Sequence, residues 1–463
     1  MLRSLLMLVV YLSFLGVSMA VPYAATLGYV WVDIFQPQSA AYVLLNTLPV
    51  AMIMGGAAFG TYILMDRRSP PPMTLILVLQ LMFAAWITLT TIYAVAGPVA
   101  WDKWNWAFKT LVFSAFVPFV IRSRVQIEAL VQVYTLSLAA NFIPFGAKVL
   151  LSGGGYGIGL GLQSGNSGLA EGGLLSTACL MVVPWLLHLA NHTRLVPKWK
   201  VVPFAYWGLA GLAIATAVGT YERSALIGMG VLAVHSWLRA KKKMLLGVVI
   251  VCVGLGIAYK ASSGYAARMS TIEDYSSEGS AYVRILIWKW TLGFVASHPA
   301  GGGFQAYVTS VIDVPQFGAS PAHEEFGRAY HSSYFEVLGE QGIPGMAMFL
   351  GIAGLVLFRL RRIAREAKQD PEFAWVVSLA NATEGGLAVF FSSGAFVSIS
   401  FQPMLWYFVA VPVCLNAYMW HARRQAAPVV PRWRSAAAPQ IDDSSPLMSW
   451  RDRRDATVRR TIP

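Results

Sequence analysis

Apolar residues in this chain gather into long runs, and polar residues collect between them. A helix that crosses a bilayer needs ~20 mostly apolar residues. Runs of that kind lie at roughly 4–21, 40–64, 73–96, 104–121, 126–149, 173–190, 201–219, 224–238, 244–259, 343–358, 373–397 and 404–420. The pattern predicts an all-α polytopic membrane protein with about twelve transmembrane helices. The stretch 22–37, with Pro22, Trp31 and Pro37, is apolar but short, and reads as re-entrant or interfacial. The N-terminus, with Arg3 ahead of an apolar run and Ser18-Met19-Ala20 after it, resembles a signal peptide; it is expected to be an uncleaved first span, because more spans follow.

Basic residues test that count. Connections on the cytoplasmic side should carry the excess of Lys and Arg. Arg67-Arg68, Arg122 with Arg124, Arg194 with Lys198 and Lys200, Arg239 with Lys241-Lys242-Lys243, the run Arg359 to Lys368, and Arg423-Arg424 all fall on one side, and the intervening connections carry few. Both termini are therefore expected inside, in a bacterial inner (cytoplasmic) membrane.

The expected organisation is membrane helices over 1–259 (about nine spans), a large periplasmic loop over 260–342, membrane helices over 343–421 (about three spans), and a disordered basic cytoplasmic tail over 422–463. A second outside segment, 152–172, is Gly/Ser-rich (Gly153-Gly154-Gly155-Tyr156) and reads first as a flexible connector. A loop as long as 260–342 is uncommon without a job, so chemistry is sought there.

Composition agrees. Of 463 residues, 56% are hydrophobic and 12% charged, against about 25% charged in an average soluble domain. The net charge of +13 would suggest nucleic acid in a soluble protein. Here the basic residues sit between apolar runs and in the tail, so membrane lipids, not nucleic acid, are the expected partner. Cys179, Cys252 and Cys414 each lie in an apolar run, which argues against a disulfide framework or a metal site. No internal repeat is evident, which weakens a transporter reading.

Charges at span ends are functional candidates. Arg223, in Thr220-Tyr221-Glu222-Arg223-Ser224, opens a span at its outer end, and reads either as an interfacial partner of Glu222 or as an anion-holding guanidinium. Lys109 lies one or two turns below the outer surface and either snorkels outward or touches substrate. In the large loop, Arg284-Ile285-Leu286-Ile287-Trp288-Lys289-Trp290 reads as an amphipathic helix near the membrane surface, with Arg284 and Trp288 on one face and Ile285 and Lys289 on another. Tyr282 and Lys289 are substrate-binding candidates beside Arg284. The turn His298-Pro299-Ala300-Gly301-Gly302-Gly303-Phe304 lacks the Lys-Ser/Thr of a phosphate loop. His331 stands just before the next span; alone it reads as a polar cap or structural donor, and together with Arg223 and Arg284 on the same face it reads as a proton acceptor near neutral pH. His323, Glu324 and Glu325 are adjacent but lack metal-ligand spacing, and no Gly-x-Ser-x-Gly elbow occurs, so neither a metal nor a serine nucleophile is expected.

These features resemble the O-antigen ligase and polymerase superfamily. The likeness rests on His331-Ser332 followed by Gly342-Ile343-Pro344-Gly345, on Arg284 to Trp288 with His298-Pro299 and the Gly301–Gly303 turn, and on Arg223-Ser224 opening a span before the loop. In the N-terminal half, residues 22–38, Lys109 and the 153–156 glycine run look like the putative O-glycosylation ligases associated with exosortase systems. The resemblance implies a GT-C-like membrane glycosyltransferase, a polyprenyl (undecaprenyl) diphosphate-linked glycan donor, and a lipid, protein or glycan acceptor. It implies catalytic roles for Arg223 and Arg284 on the diphosphate and for His331 on the acceptor hydroxyl. Ser332, Gly301, Gly303, Gly342 and Gly345 are motif positions, and neither cofactor nor metal is implied. A repeat-unit polymerase of the same superfamily is the alternative; a polysaccharide transporter is a more distant one.

Overall fold

The computed structural model describes residues 2–41, 45–152, 169, 171–245, 247–248, 251–252, 254, 279–316 and 322–426. Residues 153–168 of the glycine-rich connector, the large loop up to residue 278, and residues 427–463 of the tail lie outside the described residues. Residues 1–419 form one compact unit and 420–463 a second.

The helices in chain order are α1 (Leu2–Ser18), α2 (Tyr23–Phe35), α3 (Pro37–Ala40), α4 (Val50–Met65), α5 (Leu75–Ile92), α6 (Val99–Val120), α7 (Arg124–Ser152), α8 (Gly172–His192), α9 (Val201–Gly219), α10 (Arg223–Arg239), α11 (Gly279–Ser297), α12 (Ser333–Ala367), α13 (Ala374–Ser393) and α14 (Pro403–Ala426). Among the described residues, seven helices are long and apolar enough to cross a membrane (α5, α7, α8, α9, α12, α13 and α14), and α1 and α4 are shorter apolar helices. The protein is an all-α polytopic membrane protein, as the hydrophobic pattern predicts.

The segment 22–37 is helical over most of its length. It forms α2, nine of whose thirteen residues are buried. Gly28 lets α1 and α4 approach it: a Cβ there would sit 2.7 Å from Met54 Sδ and 2.9 Å from Phe14 Cβ. α8 is apolar on every face, and 94% of its span is enclosed, as expected for a helix surrounded by others. Trp185 stacks on Phe408 with ring centroids 3.7 Å apart, and Tyr134 packs edge-on to both.

The basic connections meet at one end of the bundle. Arg68 reaches the carbonyl of Val120, and Arg122 those of Ser69 and Phe119. Glu128 accepts from the backbone of Arg194 and Leu195. Arg239 and Arg361 both pair with Glu384. At the other end, the starts of α6, α8, α10 and α12 meet the ends of α5 and α13, and the described part of the loop packs there.

That loop portion is α11 followed by an antiparallel pair, β1 (Val311–Val314) and β2 (His323–Phe326), with Ile312 opposite Glu325. The strand pair was not anticipated from sequence. Ile312 and Val314 point inward onto Val283 and Ile287 of α11, and Tyr330 closes this small core.

Candidate active site

The loop is fastened to the bundle at a break in α12. Gly342 takes φ 65°, ψ −166° inside the helix, and Pro344 has no amide hydrogen to offer. The carbonyls before the break must therefore find other donors. Gly302 N–H donates to Gly339 O at 3.0 Å, Gly303 N–H to Glu340 O at 2.8 Å, and Ile343 N–H to Pro299 O at 2.9 Å. The Trp86 indole donates to Gln341 O at 2.9 Å. The two glycine motifs, 39 residues apart in the chain from Gly303 to Gly342, thus form one structure. A Cβ on Gly342 would lie 2.3 Å from Pro299 O, one on Gly301 2.4 Å from Gly342 N, and one on Gly303 2.6 Å from Thr90 O. Gly345 is equally closed, by the Gln341 and Trp86 side chains.

Upstream of the break, α12 begins at Ser332, whose N–H donates to Ser398 Oγ at 3.2 Å. Ser333 Oγ donates to Val397 O at 2.7 Å, so the stretch after α13 wraps the start of α12. His331 has φ +49°, and Tyr221, two residues before Arg223, has φ +54°. Each is followed by an extended cap residue (Ser332, Glu222) and then the helix. Left-handed backbone at a non-glycine residue is uncommon and concentrates at functional sites. Here it occurs at the same place relative to both helices.

α11 carries Arg284 to His331. Trp288 donates its indole N–H to Tyr330 O at 2.8 Å and stacks on Phe335 with ring centroids 5.0 Å apart. Arg284 lies one turn earlier on the same face, as the sequence spacing predicts. β2 delivers a third guanidinium, Arg328, whose backbone N–H donates to Ser310 Oγ and whose Nη1 pairs with Glu325 at 2.8 Å.

Arg223, Arg284, Arg328 and His331 share one electrostatic environment. Burial above all, then the charges of Arg284 and Arg328, pushes the His331 imidazole down to about 4, so it is neutral at pH 7. Burial is also the main cause that lowers the Arg284 proton affinity; Arg223 and Arg328 add to it, and Glu222 and Glu171 oppose it. The Glu171 carboxyl is raised by burial and by Glu222 and Glu336. The Nε atoms of Arg284 and Arg328 are buried without a hydrogen-bond partner among the described residues. Buried donors of that kind are rare and call for an acceptor.

Three substrate candidates fall elsewhere. Lys109 is exposed on a different face of α6 from Lys103, six residues earlier. Lys289 is exposed beside Ile285 on the outer face of α11, away from Arg284. Tyr282 is half-buried two residues before Arg284 and so does not share its face.

The lysine that α6 turns toward α12 is Lys103. Its Nζ donates to Glu336 at 2.7 Å and to Glu340 at 2.8 Å, above the rings of Phe304 and Phe401. Glu340 also accepts from Gln305 N–H, and Glu336 from Ser400 N–H. Two sequence signals point to Lys103 and Arg328. Glu336 and Glu340, at i and i+4 on an entering helix, need a cation; Arg328 stands three residues before His331.

No curated protein matches the chain. Residues 2–194 match a family of unknown function. Residues 208–350, which hold Arg223, Arg284, Arg328, His331 and the Gly342–Gly345 break, match the model of the O-antigen ligase family.

Proposed function

We propose that the protein transfers a glycan from a polyprenyl diphosphate to an acceptor hydroxyl. The buried, unpartnered Nε donors of Arg284 and Arg328 beside a neutral His331 carry this reading. Arg223, Arg284 and Arg328 would hold the diphosphate and stabilise the charge that grows as it departs. His331 would take the acceptor proton as the acceptor oxygen bonds to the anomeric carbon. The bond from that carbon to phosphate breaks, and its electron pair leaves on the diphosphate. The donor supplies its own leaving group, so no metal or cofactor step is invoked.

The charge pattern supports a site facing the periplasm from a bacterial inner membrane, with both termini inside. En bloc ligation is the first reading and repeat-unit polymerisation the second. The exosortase-associated subtype is proposed on sequence features alone.

The test is complementation of a deletion strain with wild type, His331→Ala or Arg284→Ala, followed by mass spectrometry of lipid-linked and finished glycans. Accumulated lipid-linked glycan with loss of finished product is expected. Loss of a whole chain from an anchor means ligation, and collapse to single repeats means polymerisation. A wild-type profile in both variants, expressed at normal level, would overturn the assignment.

A further inference from the structure

One short segment, the last residue of α13 and the stretch after it (residues 393–400), touches every helix that carries a group of the candidate site. At the start of α10, Ser393 Oγ donates to Ser224 O at 3.1 Å, one residue after Arg223. At the start of α8, a Cβ on Gly173 would sit 2.8 Å from Val397 Cγ2. At α11, Phe396 packs toward Trp288, with ring centroids 6.5 Å apart, one turn after Arg284.

The contact with α12 is the densest. Ser332 is of a type that caps helices, yet its side chain makes no cap hydrogen bond. The N–H groups at the helix start still need acceptors. The segment supplies them: Ser332 N–H donates to Ser398 Oγ at 3.2 Å, and Ser333 N–H to Gly394 O at 2.7 Å. Ser333 makes three further bonds to it. Its Oγ donates to Val397 O at 2.7 Å and accepts from Ile399 N–H at 3.1 Å, and its carbonyl accepts from Ser400 Oγ at 2.7 Å. Ser400 N–H donates to Glu336, one turn further along α12. Ser333, Ser393 and Ser400 are buried, so water does not readily replace a bond lost there. His331, with its left-handed backbone, immediately precedes this cluster.

We propose that residues 393–400 are the positioning element of the site: they tie the helix starts that carry Arg223 and His331, and the face of α11 that carries Arg284, into one frame. Ser393, Ser398 and Ser400 are positioning residues, acting through Arg223 and His331. The assignment rests on the transferase reading. The segment lies outside residues 208–350, so the site is completed by a part of the chain that the family match does not cover.

Positioning can be read without turnover, from the titration midpoint of His331 by histidine-labelled NMR of the full-length protein in lipid nanodiscs. Burial, then Arg284 and Arg328, hold that midpoint down, so it reports how the ring is enclosed and how near the arginines lie. Ser398→Ala removes the acceptor of Ser332 N–H, and Ser400→Ala removes the bond to Ser333 O. Each should move the midpoint up by about half a unit or more and reduce glycan transfer about tenfold to a hundredfold. Ser398→Thr, which keeps the hydroxyl, should restore both. Ser114→Ala, which removes a buried partner of Gln80 within α6, should lower the melting temperature and leave the midpoint unchanged. A midpoint unmoved in both Ser398→Ala and Ser400→Ala, or moved as far in Ser114→Ala, would overturn the proposal. Failure of the transferase reading would appear instead as unchanged lipid-linked glycan in His331→Ala.

Discussion

Trp288 and Tyr330, 42 residues apart, are joined by one hydrogen bond from indole to carbonyl, and that bond brings Arg284 beside His331. The arginine is one helical turn before the tryptophan, and the histidine is the next residue after the tyrosine. Trp288→Phe keeps a ring to stack on Phe335 but leaves the carbonyl without its donor. Glycan transfer should fall several-fold, with a stability loss of about 1–3 kcal/mol, read by complementation and by thermal unfolding in detergent. Full transfer with normal stability would show that Trp288 does not position the pair.

The arginines should not tolerate lysine. A planar guanidinium can offer two parallel donors, and an ammonium cannot. Arg284→Lys and Arg328→Lys should each reduce transfer by about 10²–10³, the usual cost of one transition-state donor. Near-normal activity with lysine would reduce their role to bulk charge.

His331 gives a pH signature with a definite sign. Its folded pKa of about 4 lies below the ordinary histidine value. The unfolded chain therefore binds the extra proton first, and stability should fall as pH drops through the window from about 6.5 to about 4. Removing a positive neighbour should raise the titration. Histidine-labelled NMR of Arg328→Gln should show the midpoint moving up, and no movement would separate the two residues.

Glycines 342 and 351 make a paired test within one helix. Gly342→Ala forces a side chain into left-handed backbone against Pro299 O, and should cost more than about 1–3 kcal/mol or abolish folding. At Gly351 a Cβ would meet its nearest neighbour at 3.8 Å, so Gly351→Ala should be neutral or slightly stabilising. Equal effects would refute the account of the break.

Lys103 and Lys109 make another. Lys103→Met leaves Glu336 and Glu340 without their cation, and should destabilise by about 3–5 kcal/mol. Lys109→Met should change neither melting temperature nor transfer.

Much of this was legible because hydrophobic runs and Lys/Arg clusters act locally. Arg223, Arg284, His331 and the glycine positions stood out from short motifs. The choice between Lys109 and Lys103 was not legible, because it depends on which face of α6 meets Glu336 and Glu340, more than 230 residues later. Arg328 was hidden for a similar reason: the strand pair that delivers it is two four-residue segments with a weak alternating pattern. The burial of α2 depends on its neighbours and not on its own length.

The break at Gly342 bears on how the protein is made. On its own, α12 would leave the carbonyls of Gly339, Glu340 and Gln341 without donors from their own helix. Their donors, Gly302, Gly303 and Trp86, all precede α12 in the chain. α12 therefore cannot complete its own break: the donors for these carbonyls are synthesised before it, and the helix closes onto segments already made.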